Sequence, residues 1–233
     1  MPTLQLYDTL LRFPLFQGMG ANELSQLVAG TRLDFVKLEA GSTLLRSGDR
    51  NSRLLMLTNG SLQAMTHAAD KGYTVAEEIR PPFIVEPERL FGLHQMSATD
   101  YHALTDINLI AIDKAEVARL CERFMAFRLN MLNLLATKSQ QLADRLWLPP
   151  AHDLSGRIAR FVASRCITPY GRKEVRIFME RLADEMNDSR IDVSQALKAM
   201  RTAGLISTGR GKIVIEALER LTESALSRTP LTH

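Results

Sequence analysis

Hydrophobic and polar positions change rhythm three times along this chain. Leu4–Phe16 carries a short apolar periodicity, and a second such stretch covers Asn22–Ala29. Asn22 is placed to cap the second helix, because its side-chain oxygen can accept a free first-turn amide. From Thr31 the texture is different. Arg32-Leu33-Asp34-Phe35-Val36-Lys37-Leu38 roughly alternates polar and apolar residues, as a half-buried strand does. Turn residues then recur at Gly41, Gly48-Asp49, Asn59-Gly60, Asp70-Lys71-Gly72 and Pro81-Pro82. Many short apolar runs between such turns predict a sandwich or barrel. Leu54–Leu62 reads as a β-hairpin turning at Asn59-Gly60, since Asn-Gly accepts the positive φ of a type I′ turn.

The second rhythm begins at Asp113. From there to Trp147 no glycine or proline occurs. Apolar residues fall at Val117, Leu120, Phe124, Phe127, Met131, Leu134, Leu135, Leu142 and Leu146, largely in steps of three and four. That spacing predicts an amphipathic helix, with Asp113 as N-cap and Glu116 in capping-box position. Its length, ~50 Å at 1.5 Å per residue, exceeds what a sandwich of ~110 residues readily covers. A second copy of the helix is the economical partner, with Leu120, Phe124, Phe127, Met131, Leu134, Leu135 and Leu142 as dimerisation residues. Packing within its own chain is the alternative. Pro149-Pro150 stops the helix, and Leu148–Asp153 reads as a hinge.

The third rhythm is compact. Leu154–Arg165 predicts a helix with Ile158, Phe161 and Val162 inward; Val175–Phe178 predicts a strand, and Leu182–Met186 a short helix. Asn187-Asp188 makes a turn, Ser189 caps a helix to about Thr202, and Gly204 ends it. Leu205–Ile215 reads as a hairpin around Gly209-Arg210-Gly211, and Ala217–Leu226 as a last helix.

The stretch from Leu182 to Leu197 therefore has the form of a helix-turn-helix. Val193, Ala196, Leu197 and Met200 share one face of its second helix, leaving Arg190, Asp192, Ser194, Gln195 and Lys198 free. A free N-terminal half is what entry into the DNA major groove requires. Arg190 has the fork to hold guanine O6 and N7, and Gln195 can pair with adenine. Ser189 and the first-turn amides form a phosphate seat. The trailing hairpin, with Arg210 and Lys212, is a wing able to touch the DNA backbone.

Charge supports the same division. Residues 1–148 carry 15 Lys and Arg against 16 Asp and Glu, and residues 149–233 carry 14 against 10. A basic rear half suits a polyanion, although a surplus of this size also arises from ordinary surface scatter. The composition, 45% hydrophobic and 24% charged, excludes a wholly disordered chain. No run of ~18 apolar residues predicts a membrane span, and Met1–Phe16 lacks the pattern of a signal peptide. Cys121 and Cys166 cannot make a disulfide framework, so a cytoplasmic location is expected.

Taken in order, these segments resemble the Crp/Fnr superfamily of bacterial transcription regulators. Leu11–Phe16 with Asn22-Glu23-Leu24 is similar to that family's opening helix and turn. Glu39–Leu45, Gly48-Asp49 and Asn59–Leu62 resemble the glycine-marked turns of its β-roll. Ser189–Lys198, Ala203–Ile206 and Gly211–Val214 resemble its recognition helix and wing. The resemblance implies an α+β fold in three parts: a cyclic-nucleotide-binding-like β-roll (a double-stranded jelly roll) over 1–112, a long dimerisation helix over 113–148, and a winged helix-turn-helix over 149–233. It implies a homodimer on a pseudo-palindromic double-stranded DNA site, with RNA polymerase as a further partner.

The departures from the family concern the effector. In the cyclic AMP binders a glutamate follows the Phe-Gly of the phosphate cassette, and an Arg-Ser/Thr-Ala lies downstream. Here Leu93 follows Phe91-Gly92, and the corresponding downstream region is Ser97-Ala98-Thr99-Asp100. The arginine that would neutralise a cyclic phosphate is missing, with Arg80 and Arg89 the candidate substitutes. Desolvating a phosphodiester without a cation is costly, which argues against cyclic AMP in the standard mode. The effector of the degenerate pocket near Phe91, Gly92, Ser97 and Ala98 is left unassigned. In the recognition helix the family's common glutamate is Ile191, which can meet a thymine methyl or pack. No cysteine precedes Cys121, which excludes the iron–sulfur cluster of the oxygen-sensing branch. His67, His94, His102, His152 and His233 show no metal-ligand spacing, and no enzyme motif occurs. A binding module whose winged helix mediates protein contacts is the alternative function.

Overall fold

The computed structural model describes residues 3–147, 151 and 153–227. Leu148–Pro150, His152 and His233 lie outside the described residues, and with them the proline stop and most of the expected hinge. The chain divides into two compact units, 1–62 with 79–147, and 63–78 with 148–233.

In the first unit, helices α1 (Thr3–Leu11) and α2 (Ala21–Gly30) flank a 3-10 turn at Pro14–Phe16. Gly20, not Asn22, stands at the N-cap of α2, and Glu23 reaches back to accept from its amide at 3.0 Å. Strands β1 (Asp34–Leu38), β2 (Thr43–Leu45) and β3 (Arg53–Asn59) follow, and the chain then enters β4 (Leu62–His67) and β5 (Tyr73–Ile79). It continues through β6 (Phe83–Val85), α3 (Pro87–Phe91), β7 (Thr99–Ala103) and β8 (Ile107–Asp113). One antiparallel sheet runs β1-β8-β3-β6, and β2 pairs with β7. The expected hairpin at Asn59-Gly60 does not form, because β3 takes β8 and β6 as its neighbours. Gly60, at φ +83, is instead a corner where the chain leaves that sheet. A Cβ there would stand 2.3 Å from the Asp106 carbonyl, so the corner requires glycine for space as well as for φ.

The long helix is also divided. α4 (Lys114–Arg123) stops at Phe124, whose backbone is extended, and α5 (Met125–Trp147) restarts at once. Asp113 sits at the N-cap of α4 but makes no side-chain cap; it pairs with Arg53 at 3.1 Å, and Glu116 pairs with Arg119. At 1.5 Å per residue α5 is ~35 Å long rather than ~50 Å. The break lets Phe124 and Phe127 turn into the core formed by Leu10, Phe13, Phe16, Leu54, Met56 and Ile112. The Phe16 and Phe127 rings lie 5.5 Å apart.

The second unit contains α6 (Leu154–Arg165), β9 (Lys173–Ile177), α7 (Met179–Met186), α8 (Arg190–Thr202), β10 (Ser207–Gly209), β11 (Lys212–Ile215) and α9 (Leu218–Ser227). Asp153 caps α6 by accepting from the Gly156 amide at 2.8 Å. Ile158, Phe161, Val162, Leu182, Met186, Val193, Leu197 and Met200 close one core. Residues 63–78, inside the expected 1–112 domain, form a hairpin that clusters by contact with the second unit. That hairpin packs with the C-terminal unit, because β5 pairs antiparallel with β9 from Tyr73↔Ile177 to Glu77↔Lys173. The last of these pairs is a buried ion pair, with Lys173 Nζ 2.6 Å from Glu77 and neither side chain more than 1% exposed. Glu77 also accepts from the amides of Ile167 (2.6 Å) and Thr168 (3.1 Å) and from the Thr168 hydroxyl.

Candidate nucleic-acid interface and effector seat

Helix α8 is held by its own periodicity. Val193, Leu197 and Met200 are buried with Ala196 beside them, which leaves Arg190, Ile191, Asp192, Ser194, Gln195 and Lys198 exposed on the opposite side. Ile191 is 70% exposed, so it does not pack within the unit. Asn187 supplies the turn before the helix at φ +46, and Gly204 at φ +68 the stop after it.

The expected phosphate seat at the start of α8 is filled by the chain itself. The Ser189 hydroxyl accepts from the Asp192 amide at 3.1 Å and donates to the Asp192 carboxylate at 2.6 Å. Asp188 lies beside it, accepting from the Ser189 amide and pairing with Arg157. Those hydrogen bonds hold the Asp188 carboxyl below the usual carboxylate range. Two carboxylates at this helix end repel a third anion, so Ser189 acts as a cap. Arg190 is held as well, 3.0 Å from Glu180 at the start of α7, with both side chains exposed. Glu180 carries no sequence signal of this role; only the meeting of two helix starts reveals it.

The wing forms as the glycines require. β10 and β11 pair through Gly209↔Lys212, with Gly211 at φ +65 in the tight turn. Arg210 is exposed at the tip. Lys212 is half-buried and pairs with Glu174 at 2.7 Å. Arg176 lies 2.9 Å from the same carboxylate. Burial opposes ionisation of Glu174, but the bonds from Lys212 and Arg176 keep its carboxyl below the usual range.

The dimerisation residues need correcting. Leu120, Phe124, Phe127 and Met131 are buried in the core of their own unit, and Leu134 and Leu135 pack against that core. Leu142 is exposed at 62%. Leu142 therefore stays free, and Met125, Leu129 and Leu132 are further apolar positions of α5 at least half exposed. They continue through the exposed small residues Ala136, Ser139 and Ala143 in alternating steps of four and three.

Where the effector pocket is expected, Phe91 ends α3 and Gly92 is its C-cap. Ser97 is buried and donates to the Thr99 carbonyl at 2.8 Å. Ala98 is exposed, and its amide donates to Glu86 Oε1 at 3.2 Å. Glu86 is only 6% exposed, stands at φ +40 between the Pro81-Pro82 pair and Pro87, and its Oε2 meets no hydrogen-bond partner among the described residues. Burial pushes its carboxyl up, against the pull of Ser97 and the Ala98 amide. Arg89, one of the two candidate substitutes, reaches towards the His94 carbonyl at 3.5 Å. Among the described residues no cluster of His, Cys, Asp or Glu could hold a metal ion. Cys121 is half-buried and Cys166 buried. No helix among the described residues is long and apolar enough to cross a membrane.

Two family models match in sequence order. Residues 35–124 match a cyclic nucleotide-binding domain, and residues 156–224 match a Crp-like helix-turn-helix domain. The fold is similar to the catabolite activator protein of Thermus thermophilus, at 19% identity and TM-score 0.51, over 93% of this chain and 100% of that one. It is similar also to the sensor domain of the transcriptional regulator DNR from Pseudomonas aeruginosa, at 17% identity and TM-score 0.51, over 65% of this chain and 97% of that one. No curated protein matches. A cyclic nucleotide-binding domain followed by a Crp-like helix-turn-helix places the chain in the Crp/Fnr superfamily of transcription regulators.

Proposed function

We propose that the protein acts in the cytoplasm as a homodimeric, sequence-specific DNA-binding regulator. The observation that carries this reading is the outer face of α8, where Arg190, Ile191, Ser194, Gln195 and Lys198 stand exposed beside the wing. Arg190 reads a base once Glu180 releases it, and Ile191 meets a thymine methyl. Lys198 and Arg210 take phosphates. Two copies join along Met125, Leu129 and Leu132, with the small residues at 136, 139 and 143 allowing close approach. RNA polymerase is the partner through which such a dimer acts on transcription.

The effector of this regulator is not a cyclic nucleotide held by its phosphate. Supporting that view, the Glu86 carboxylate already takes the Ala98 amide, and no arginine stands in the family's position. Titrating the protein onto random genomic duplexes over a series of salt concentrations tests the function. Binding with a steep negative salt slope and a sequence preference is expected; binding with neither counts against it. Leu129→Asp should leave each unit folded and abolish the dimer in sedimentation, whereas an unchanged dimer removes the proposed seam.

A further inference from the structure

A second hairpin of this unit also carries a cation at its turn: Lys71 lies between β4 and β5, in a hairpin that otherwise holds Asp70, Glu77 and Glu78. β11 begins at Lys212 beside Arg176, and β9 ends at Ile177 beside Tyr73, the first residue of β5. The β4–β5 turn at Asp70–Gly72 and the wing turn at Arg210-Gly211 therefore project from the same end of one sheet. They stand two strand spacings apart, ~10 Å. Between them lies an open cleft of about 550 Å³ lined by Lys71, Arg176, Phe178, Arg210 and Lys212, with Glu174 as its one carboxylate. Lys212 and Arg176 already pair with Glu174, whereas Lys71 and Arg210 have no acidic partner among the described residues. Phe178 is 67% exposed between the turns, a flat apolar surface suited to a deoxyribose edge.

The turn that carries Lys71 is built, not loose. Asp70 accepts from the Gly72 amide at 2.9 Å and pairs with Arg181 at 2.8 Å. Lys71 sits in the left-handed region at φ +58, with its amide donating to the Ala68 carbonyl at 2.8 Å. The buried Glu77–Lys173 pair fixes β5 against β9 behind it. Two unpaired cations on rigid turns ~10 Å apart face what a duplex offers, about six phosphate charges over such a span. On the other side of the wing, α8 packs beside β10.

We propose that the Asp70–Gly72 turn is a second backbone clamp, in which Lys71 binds DNA phosphates on the far side of the wing from the reading helix. This rests on the DNA-binding reading above and adds to it a contact outside the helix-turn-helix. The test uses the full-length dimer and a duplex enriched by the protein itself from a random library, alongside an unrelated duplex. Lys71→Gln should weaken binding to both duplexes several-fold and leave their ratio unchanged. It should also make the log–log salt slope shallower by ~0.9 per lost contact, hence ~1.8 for the dimer. Lys71→Arg should restore both readouts. Wild-type affinity and slope in both Lys71→Gln and Lys71→Glu overturn the clamp while leaving the function intact. A wild-type protein with neither salt slope nor preference overturns the function itself.

Discussion

Glu77 and Glu86 are both buried carboxylates, and the chain treats them in opposite ways. Glu77 meets a lysine, two amides and a hydroxyl, so every part of its charge is answered. Glu86 has the Ala98 amide on Oε1 and the Ser97 hydroxyl nearby, stands in a left-handed backbone conformation, and its Oε2 meets no hydrogen-bond partner among the described residues. A buried charge that is fully paired is hard to remove and holds its surroundings in one arrangement. A buried carboxyl that is half answered is poised to change its proton. The first lies where the 63–78 hairpin pairs with β9, and the second in the segment between Pro81-Pro82 and Pro87. Rigidity and responsiveness are thus assigned to different places by hydrogen bonding rather than by burial.

The largest effect that can break this contrast is at the paired site. Lys173→Met strands Glu77 in the interior and should cost about 3–5 kcal/mol in denaturant unfolding. A loss under 1 kcal/mol would show that the pair is not holding the hairpin. Adding Glu77→Leu to that variant should recover only part of the loss, because the Ile167 and Thr168 amides then lack an acceptor, at about 1–3 kcal/mol. Full recovery would reduce the network to a simple ion pair.

At the half-answered site the expected effect is smaller and depends on pH. The folded state holds the Glu86 proton more tightly than the unfolded chain does. Its contribution is therefore complete at low pH and is lost as pH rises through its raised value. Glu86→Gln should be more stable than the parent at neutral pH by about 1 kcal/mol or less, the scale of one unmade hydrogen bond. The gap should close as pH falls towards the ordinary carboxylate range. A gap that widens on acidification reverses the assignment, because Glu86 would then be stabilised as the anion.

What could be read from the sequence was whatever short-range chemistry decides. The faces of α8, its Ser189 cap, the Gly204 stop and the wing around Gly211 all follow from spacing and turn residues. Long-range pairing was not legible. Asn59-Gly60 demands a positive φ at Gly60 in a hairpin and at a sheet corner alike, and only the proximity of Asp106 decides. The helical run from 114 to 147 is apolar on two faces. Periodicity detected the stripe through Phe127 and Met131 but not that the core claims it, leaving Met125, Leu129 and Leu132 outside. Nothing local in residues 63–78 says that β5 will meet β9 almost a hundred residues later. With that hairpin counted, the C-terminal unit holds 15 Lys and Arg against 13 Asp and Glu. The position of cations on the reading side therefore carries the DNA argument better than their surplus does.

The most direct test of that argument is a selection of bound duplexes from a random library, run side by side with the wild type and Arg190→Ala at one fixed salt concentration. The account expects the wild type to enrich a pseudo-palindrome with half-sites one helical turn apart, ~34–36 Å. It expects Arg190→Ala to lose its preference at one symmetric position, at ~1–3 kcal/mol, while keeping the rest. An enriched site that is identical in the two proteins, or no enrichment by the wild type, contradicts the claim that the start of α8 reads DNA.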